Sequence, residues 1–282
     1  DGRSDAKGVE PEGMEAATFA DQNYFFVALE RASLIAVYRD TGEAPEFVQV
    51  LPSGIGPEGV LAIPHRNLLV TANEEDLVED GGARSHVMVY ELSEDAPAYP
   101  MIRSTVQDGK PIGWGALSGL AADPVRAGRL YAVSDSFYGS EPAIYEIDAT
   151  VAPAEITRKI VVKRGTAPAQ KLDLEGVAAD GEGGFWLASE GDSADLIPHA
   201  LYHTDSEGVI DNEIALPAEL LAQARRYGFE GITVVGEGNE MMLVMAMQRE
   251  WKDDPEGQVK LLAYKPADEQ WLAARYPLDE AE

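Results

Sequence analysis

Apolar positions along this chain fall into strand-length runs bounded by turn residues, and the runs recur in sets of four. Five times a Glu-Gly or Ser-Gly pair opens a set: Glu12-Gly13, Glu58-Gly59, Ser118-Gly119, Glu175-Gly176 and Glu230-Gly231, at intervals of 46, 60, 57 and 55 residues. After each pair come MEAATFA, VLAIP, LAADP, VAAD or ITVVG, and then YFFVALE, LLVTANE, LYAVSD, FWLASE or MMLVMAMQ. Third runs end at Tyr38, Tyr90, Tyr145, Tyr202 and Tyr264, and a fourth follows as EFVQVLP, YPMIRSTV, ITRKIVVKR, VIDNEIALP or QWLAARYPL. Runs of this length and spacing read as strands. No four-strand unit buries both faces alone, so the period predicts an all-β fold, a β-propeller of four-stranded antiparallel blades. The alternative is a set of β-sandwich hairpins, which has no need of a four-strand period. Approximate blade limits are 9–52, 55–107, 115–165, 172–217 and 228–278, all within one domain, 1–282.

Composition narrows the picture. A chain of 282 residues that is 45% hydrophobic can bury one full core. No apolar run approaches the roughly 18 residues of a membrane span, and no signal peptide stands at Asp1, so the chain reads as soluble and not membrane-inserted. Cysteine is absent, which excludes disulfides, thiolate metal sites and a cysteine nucleophile. Fifty acidic against 22 basic residues give a net charge of −28, which repels nucleic acid and attracts cations.

The placement of the acids says more than their number. In a propeller the first strand of each blade lines the channel, and its start lies at the same end as the close of the antiparallel second strand. Second strands close at Glu30, Glu74, Asp135, Glu190 and Gln248. Of these ten positions eight are carboxylates: Glu12, Glu30, Glu58, Glu74, Asp135, Glu175, Glu190 and Glu230. Like charges crowded at one mouth take up protons or need a counter-ion. Calcium, a hard cation that accepts six to eight oxygens, is the expected one, and these eight residues are its candidate ligands. Alternatively each Glu caps its own blade and the Gly provides backbone room. Acidic loops add Asn73, Glu75, Asp76, Glu79 and Asp80 in one blade and Asp192 and Asp195 in another, none at EF-hand spacing.

The segments LSGLAADPVRAGRLYAVSD, DLEGVAADGEGGFWLASEGD and GFEGITVVGEGNEMMLVMAMQ resemble the family named for the esterase-like activity of phytase, across roughly residues 112–270. Residues 3–92, with RSDAKGVEPEGMEA, FFVALER, GPEGVLAIP and LLVTANE, resemble the closing part of the choice-of-anchor I domain, an alkaline-phosphatase-like secreted propeller family. These resemblances imply an extracellular or periplasmic protein, calcium, and phosphoester hydrolysis, and make this sequence the later part of a longer precursor whose upstream blades would enlarge the ring. They imply calcium ions at the mouth that bind a small anionic phosphoester and activate water, with Glu175, Glu190 and Lys171 as catalytic candidates. Lys171, Arg31 and Arg249 are the cations near the expected face, although no spacing singles any of them out, and each also reads as an ordinary surface cation.

Other chemistry finds less support. Ser118 in GALSG lacks the strand-to-helix turn of a nucleophile elbow, and Ser118→Ala is expected to be nearly silent. His199 and His203 flank one strand and read as surface or packing residues, and the glycines of DGEGG and GEGNE read as hairpin turns. The stretch 217–228, PAELLAQARRYG, predicts a helix ending at Gly228. Two function classes follow: a calcium-dependent phosphoesterase, or a non-catalytic calcium-stabilised propeller serving as a binding or surface module. A lactonase-like metal hydrolase is a third reading.

Overall fold

The computed structural model describes residues 7–96, 99–192 and 196–278. Two compact units divide the chain near residue 99. The first holds one complete blade, Pro11–Phe19 (β1), Gln22–Leu29 (β2), Leu34–Arg39 (β3) and Glu46–Pro52 (β4), paired antiparallel in that order. Its second sheet has three strands, Pro57–Ile63 (β5), Leu68–Asn73 (β6) and His86–Glu91 (β7).

The fourth run expected for this second blade leaves it. Ile102–Ser104 (β8) belongs to the second unit, where it pairs parallel with the outer strand of the next blade through Ile102 opposite Ala154 and Ser104 opposite Ile156. Thr105 adds backbone and hydroxyl donors to the Ile156 carbonyl, both at 3.0 Å, which fixes that register. Val106–Gln107 (β9) and Lys110–Pro111 (β10) then form a short hairpin. The expected limit of 107 for the second blade is therefore corrected to 91 among the described residues.

The second unit contains three blades. The first is Leu117–Ala122 (β11), Arg129–Ser134 (β12), Ala143–Asp148 (β13) and Ala154–Val161 (β14), with β8 outside β14. After the hairpin Lys163–Arg164 (β15) and Ala167–Pro168 (β16) come Leu174–Ala179 (β17), Phe185–Ser189 (β18), Ala200–Thr204 (β19) and Ile210–Ala215 (β20). The last blade is Phe229–Val235 (β21), Met242–Met247 (β22), Gln258–Lys265 (β23) and Gln270–Pro277 (β24). All consecutive strands within a blade pair antiparallel, as the four-run period predicts.

Where a blade lies between two others of its unit, its inner and middle strands carry apolar side chains on both faces. β18 is buried along its whole length. Phe185 and Leu187 pack with Tyr131, Val133 and Ile144 of the preceding blade, while Trp186 and Leu201 pack with Phe229, Leu243 and Met245 of the following one. In the first unit Phe26, Ile35 and Val37 meet Leu69, Val60 and Tyr90 in the same manner. Each fully buried side chain of this size contributes roughly 1.5–3 kcal/mol, so blade-to-blade packing is the main source of cohesion inside each unit.

The repeat glycines serve this packing. A Cβ on Gly119 would lie 2.8 Å from the Gly176 Cα, and one on Gly176 would lie 2.8 Å from the Ile232 backbone nitrogen. Adjacent first strands thus approach backbone to backbone, and in the first unit Gly13 sits against the Glu58 carbonyl in the same way. The helix expected over 217–228 is reduced to one turn, Ala218–Leu221. Beyond it the bonding tightens to Gln223 N–H with the Leu220 carbonyl and Ala224 N–H with the Leu221 carbonyl. Lys252 then takes the Ala222 carbonyl through Nζ and the Gln223 carbonyl through its N–H, so a longer helix loses its acceptors.

Candidate active site

One backbone hydrogen bond recurs in all five blades and brings strand start and strand end together. Glu30, Glu74, Asp135, Glu190 and Gln248 each donate their N–H, at 2.8–3.1 Å, to the residue two before the repeat pair: Glu10, Gly56, Ala116, Asp173 and Gly228. The register also shifts at the pair itself. Pro11 opposes Leu29 and Gly13 opposes Ala28, leaving Glu12 without a partner; Glu58, Glu175 and Glu230 are passed over in the same manner. Such bulges re-aim side chains at functional edges, and here they free the acid from the pleat.

The eight predicted acids fall into two groups, one per unit. In the first unit Glu12 and Glu30 join Glu10, with one carboxylate oxygen from each within 4.8 Å of the others. This group brings its own cations: Lys7 and Arg31 both pair with Glu10, and their hydrogen bonds hold its carboxyl at about 2. Arg31 is thereby engaged as a structural partner. Burial, with the neighbouring Glu10 and Glu12, pushes Glu30 up, while the Glu74 charge raises Glu58.

In the second unit Asp135, Asp173 and Glu175 also place oxygens within 4.8 Å of one another. Burial pushes Asp173 up to about 6, reinforced by its contact with Asp135. It pushes Glu175 up to about 7, with the charges of Asp135, Glu230 and Asp173 adding to it and the Ser118 hydroxyl opposing it by donating to the carboxylate. Glu190 rises to about 7 for the same leading reason, with Asp173 and Glu230 next, and Glu230 is raised by burial and by Asp135. Asp173 and Glu190 are 9% and 7% exposed, and each has a buried carboxylate oxygen without a hydrogen-bond partner. Five interacting carboxylates with unused buried oxygens favour either shared protons or a cation. The residues fit a calcium site: the donors are all oxygen, and three converge.

Glu10 and Asp173 escape a reading based on the repeat pair alone, but the pattern was available. Only E-P-E-G and D-L-E-G place a second acid two residues before the glutamate, and the two convergent triads form at these two blades. Lys171 lies exposed at a left-handed turn, φ 61°, leading into Asp173. His199 is a packing residue, 4% exposed and edge-on to Trp251 at 5.6 Å. His203 lies between Asp180 and Asp211 at 3.1 and 2.7 Å. In the acidic loop of the second blade Asp76 is taken up by the Val78 N–H and by Arg84, while Asp195 lies outside the described residues.

Residues 112–282 match the phytase-like family described by the esterase-like activity of phytase, which spans the whole carboxylate cluster of the second unit. The chain belongs to this family. Residues 1–43 of this phytase-like chain match the choice-of-anchor I domain, a shorter stretch than the resemblance to residue 92. No curated protein matches the sequence. Solved structures with similarity include the hydrazine synthase of Kuenenia stuttgartiensis, at 14% identity over 96% of this chain and 67% of that one, TM-score 0.34. A functionally unknown protein from Desulfotomaculum acetoxidans shows 12% identity over 95% and 72%, TM-score 0.34. A luciferin-regenerating enzyme shows 14% over 84% and 70%, TM-score 0.32.

Proposed function

We propose that this phytase-like chain is a calcium-dependent phosphoester hydrolase acting at the second-unit carboxylate cluster. The observation that carries the reading is the pair of buried, unpartnered carboxylate oxygens on Asp173 and Glu190, together with the convergence of Asp173 with Asp135 and Glu175 within 4.8 Å. Asp135, Asp173 and Glu175 would hold the cation, with Glu190 and Glu230 beside them. Bound calcium would neutralise phosphate oxygens and lower the pKa of the attacking water.

The residues themselves supply the proton chemistry. Without the cation, burial and the neighbouring carboxylates hold Glu190 near 7, and its free Oε1 is the atom it would offer as general base or acid once calcium is bound. Ser118 keeps Glu175 from rising further by donating to its carboxylate, which favours the ionised, cation-binding form. The first-unit triad is a weaker cation site, since Lys7 and Arg31 already balance two of its three charges.

The choice-of-anchor I match at residues 1–43 supports placement outside the cytoplasm, where a modest calcium affinity is enough. Phosphate release from aryl phosphates and inositol phosphates, with and without chelator, tests the reading, with lactones assayed in parallel. Calcium binding by wild type without turnover of any of these would instead support the non-catalytic module.

A further inference from the structure

A group of arginines stands beside this cluster, and two of them, Arg225 and Arg249, have no carboxylate partner among the described residues. Arg225, Arg226 and Tyr227 precede β21 and Arg249 follows β22; the bond from Gln248 N–H to the Gly228 carbonyl, 3.0 Å, ties the two segments together. They line an open cleft of about 540 Å³, with Glu250 and Leu278 completing its wall. The Tyr227 ring carries the guanidinium groups of Arg226 and Arg249 at 5.3 and 4.9 Å. Tyr227 holds φ 69°, a left-handed conformation that costs a bulky residue about 1–2 kcal/mol.

In a protein of net charge −28, arginines find carboxylates readily, as Arg39, Arg103 and Arg164 do. Among the described residues none lies within salt-bridge distance of Arg225 or Arg249, while Arg226 is 3.5 Å from Asp192. Glu250, the one acid in the wall, accepts from the Gly257 N–H instead. Two guanidinium groups gathered on one strained tyrosine, with Arg225 beside them and only Arg226 paired in an acidic protein, are a site complementary to an anion.

We propose that the Arg225–Arg226–Arg249 cleft binds the phosphoryl group of a small phosphorylated ligand directly, without a metal. Three guanidinium groups offer more donors and charge than a monoanionic, planar carboxylate can use, whereas a dianionic phosphoryl group has the oxygens to engage them. The site stands independently of the hydrolase reading, because it uses none of the carboxylates assigned to the cation.

The test is calorimetric titration of inorganic phosphate into the full chain in EDTA, at low ionic strength and pH 8. Saturable binding is expected, weakened about tenfold by Arg249→Gln through loss of a charge-assisted bond, and abolished by Arg225→Gln with Arg249→Gln. Added salt should weaken it, and acetate should not compete. These arginines are exposed, so melting curves should show the variants folded. No phosphate binding by wild type, equal binding of acetate, or binding untouched by the double variant would each overturn the proposal. Lost turnover with intact phosphate binding would count only against the hydrolase.

Discussion

The Ser118 hydroxyl donates a hydrogen bond to the Glu175 carboxylate, from the first strand of one blade to the first strand of the next. Serine stands where four other repeat units have glutamate, and at this point a donor replaces what would be another negative charge. Repeat spacing alone could not reveal the contact, and it changes the expectation of a silent Ser118→Ala.

Ser118→Ala should raise the Glu175 pKa above its value of about 7, since the lost hydrogen bond favoured the charged form. Carboxyl titration by NMR in metal-free protein reads this directly. A Glu175 titration unmoved by the substitution would show that the hydroxyl has no electrostatic effect.

Glu175 and Glu190 titrate near 7 when folded against an ordinary value of 4.5, so they bind protons on folding throughout that window. The sign follows: metal-free stability should fall as pH rises from about 4.5 to 7, by roughly 2 kcal/mol for the more buried Glu190 after screening. Glu190→Gln should remove its share and leave the metal-free variant more stable than wild type at pH 8. Denaturant midpoints across pH measure both effects.

Saturating calcium should reverse that penalty. At 100 times the dissociation constant one folded-state site adds about 2.7 kcal/mol. Glu175→Gln should remove most of the gain and Glu12→Gln little, because the first-unit triad already has Lys7 and Arg31. Equal losses in the two variants would assign the cation differently.

The glycine of each repeat pair separates by its neighbours. Gly176→Ala drives a Cβ into the Ile232 and Gly231 backbone at 2.8–3.0 Å and should cost about 3 kcal/mol or more. Gly231→Ala meets nothing within 4 Å and should be near neutral, gaining up to about 0.5 kcal/mol from reduced chain entropy. Thermal unfolding of the two variants checks the contrast.

Much of this architecture was legible because its determinants are periodic. Tyr38, Tyr90, Tyr145, Tyr202 and Tyr264 mark the third strands, and the Glu-Gly pairs mark the first, so strands and blades could be counted in one pass. What escaped depends on contacts between distant segments. Ile102–Ser104 reads as the fourth strand of its own blade, yet its partner is Ala154–Ile156. Leu220 and Ala224 have helical spacing, but Lys252 takes the carbonyls a helix would need. The acids were found by position; their division between Glu10 with Lys7 and Arg31, and Asp173 with Asp135, required the fold. Arg225 and Arg226 lay inside the stretch read as helix, which concealed them as a site.

The most direct measurement is calcium-dependent phosphate release from an aryl phosphate by wild type, Glu175→Gln and Glu190→Gln at the same calcium concentration. Turnover should require calcium in wild type and fall about 100-fold or more in both variants, in Glu190→Gln through loss of a positioned acid–base group and in Glu175→Gln through loss of the cation, while their folded baselines stay native. Turnover unaffected by chelator, or retained in both variants, would contradict the assignment of the Asp135–Asp173–Glu175–Glu190 cluster as the hydrolytic centre.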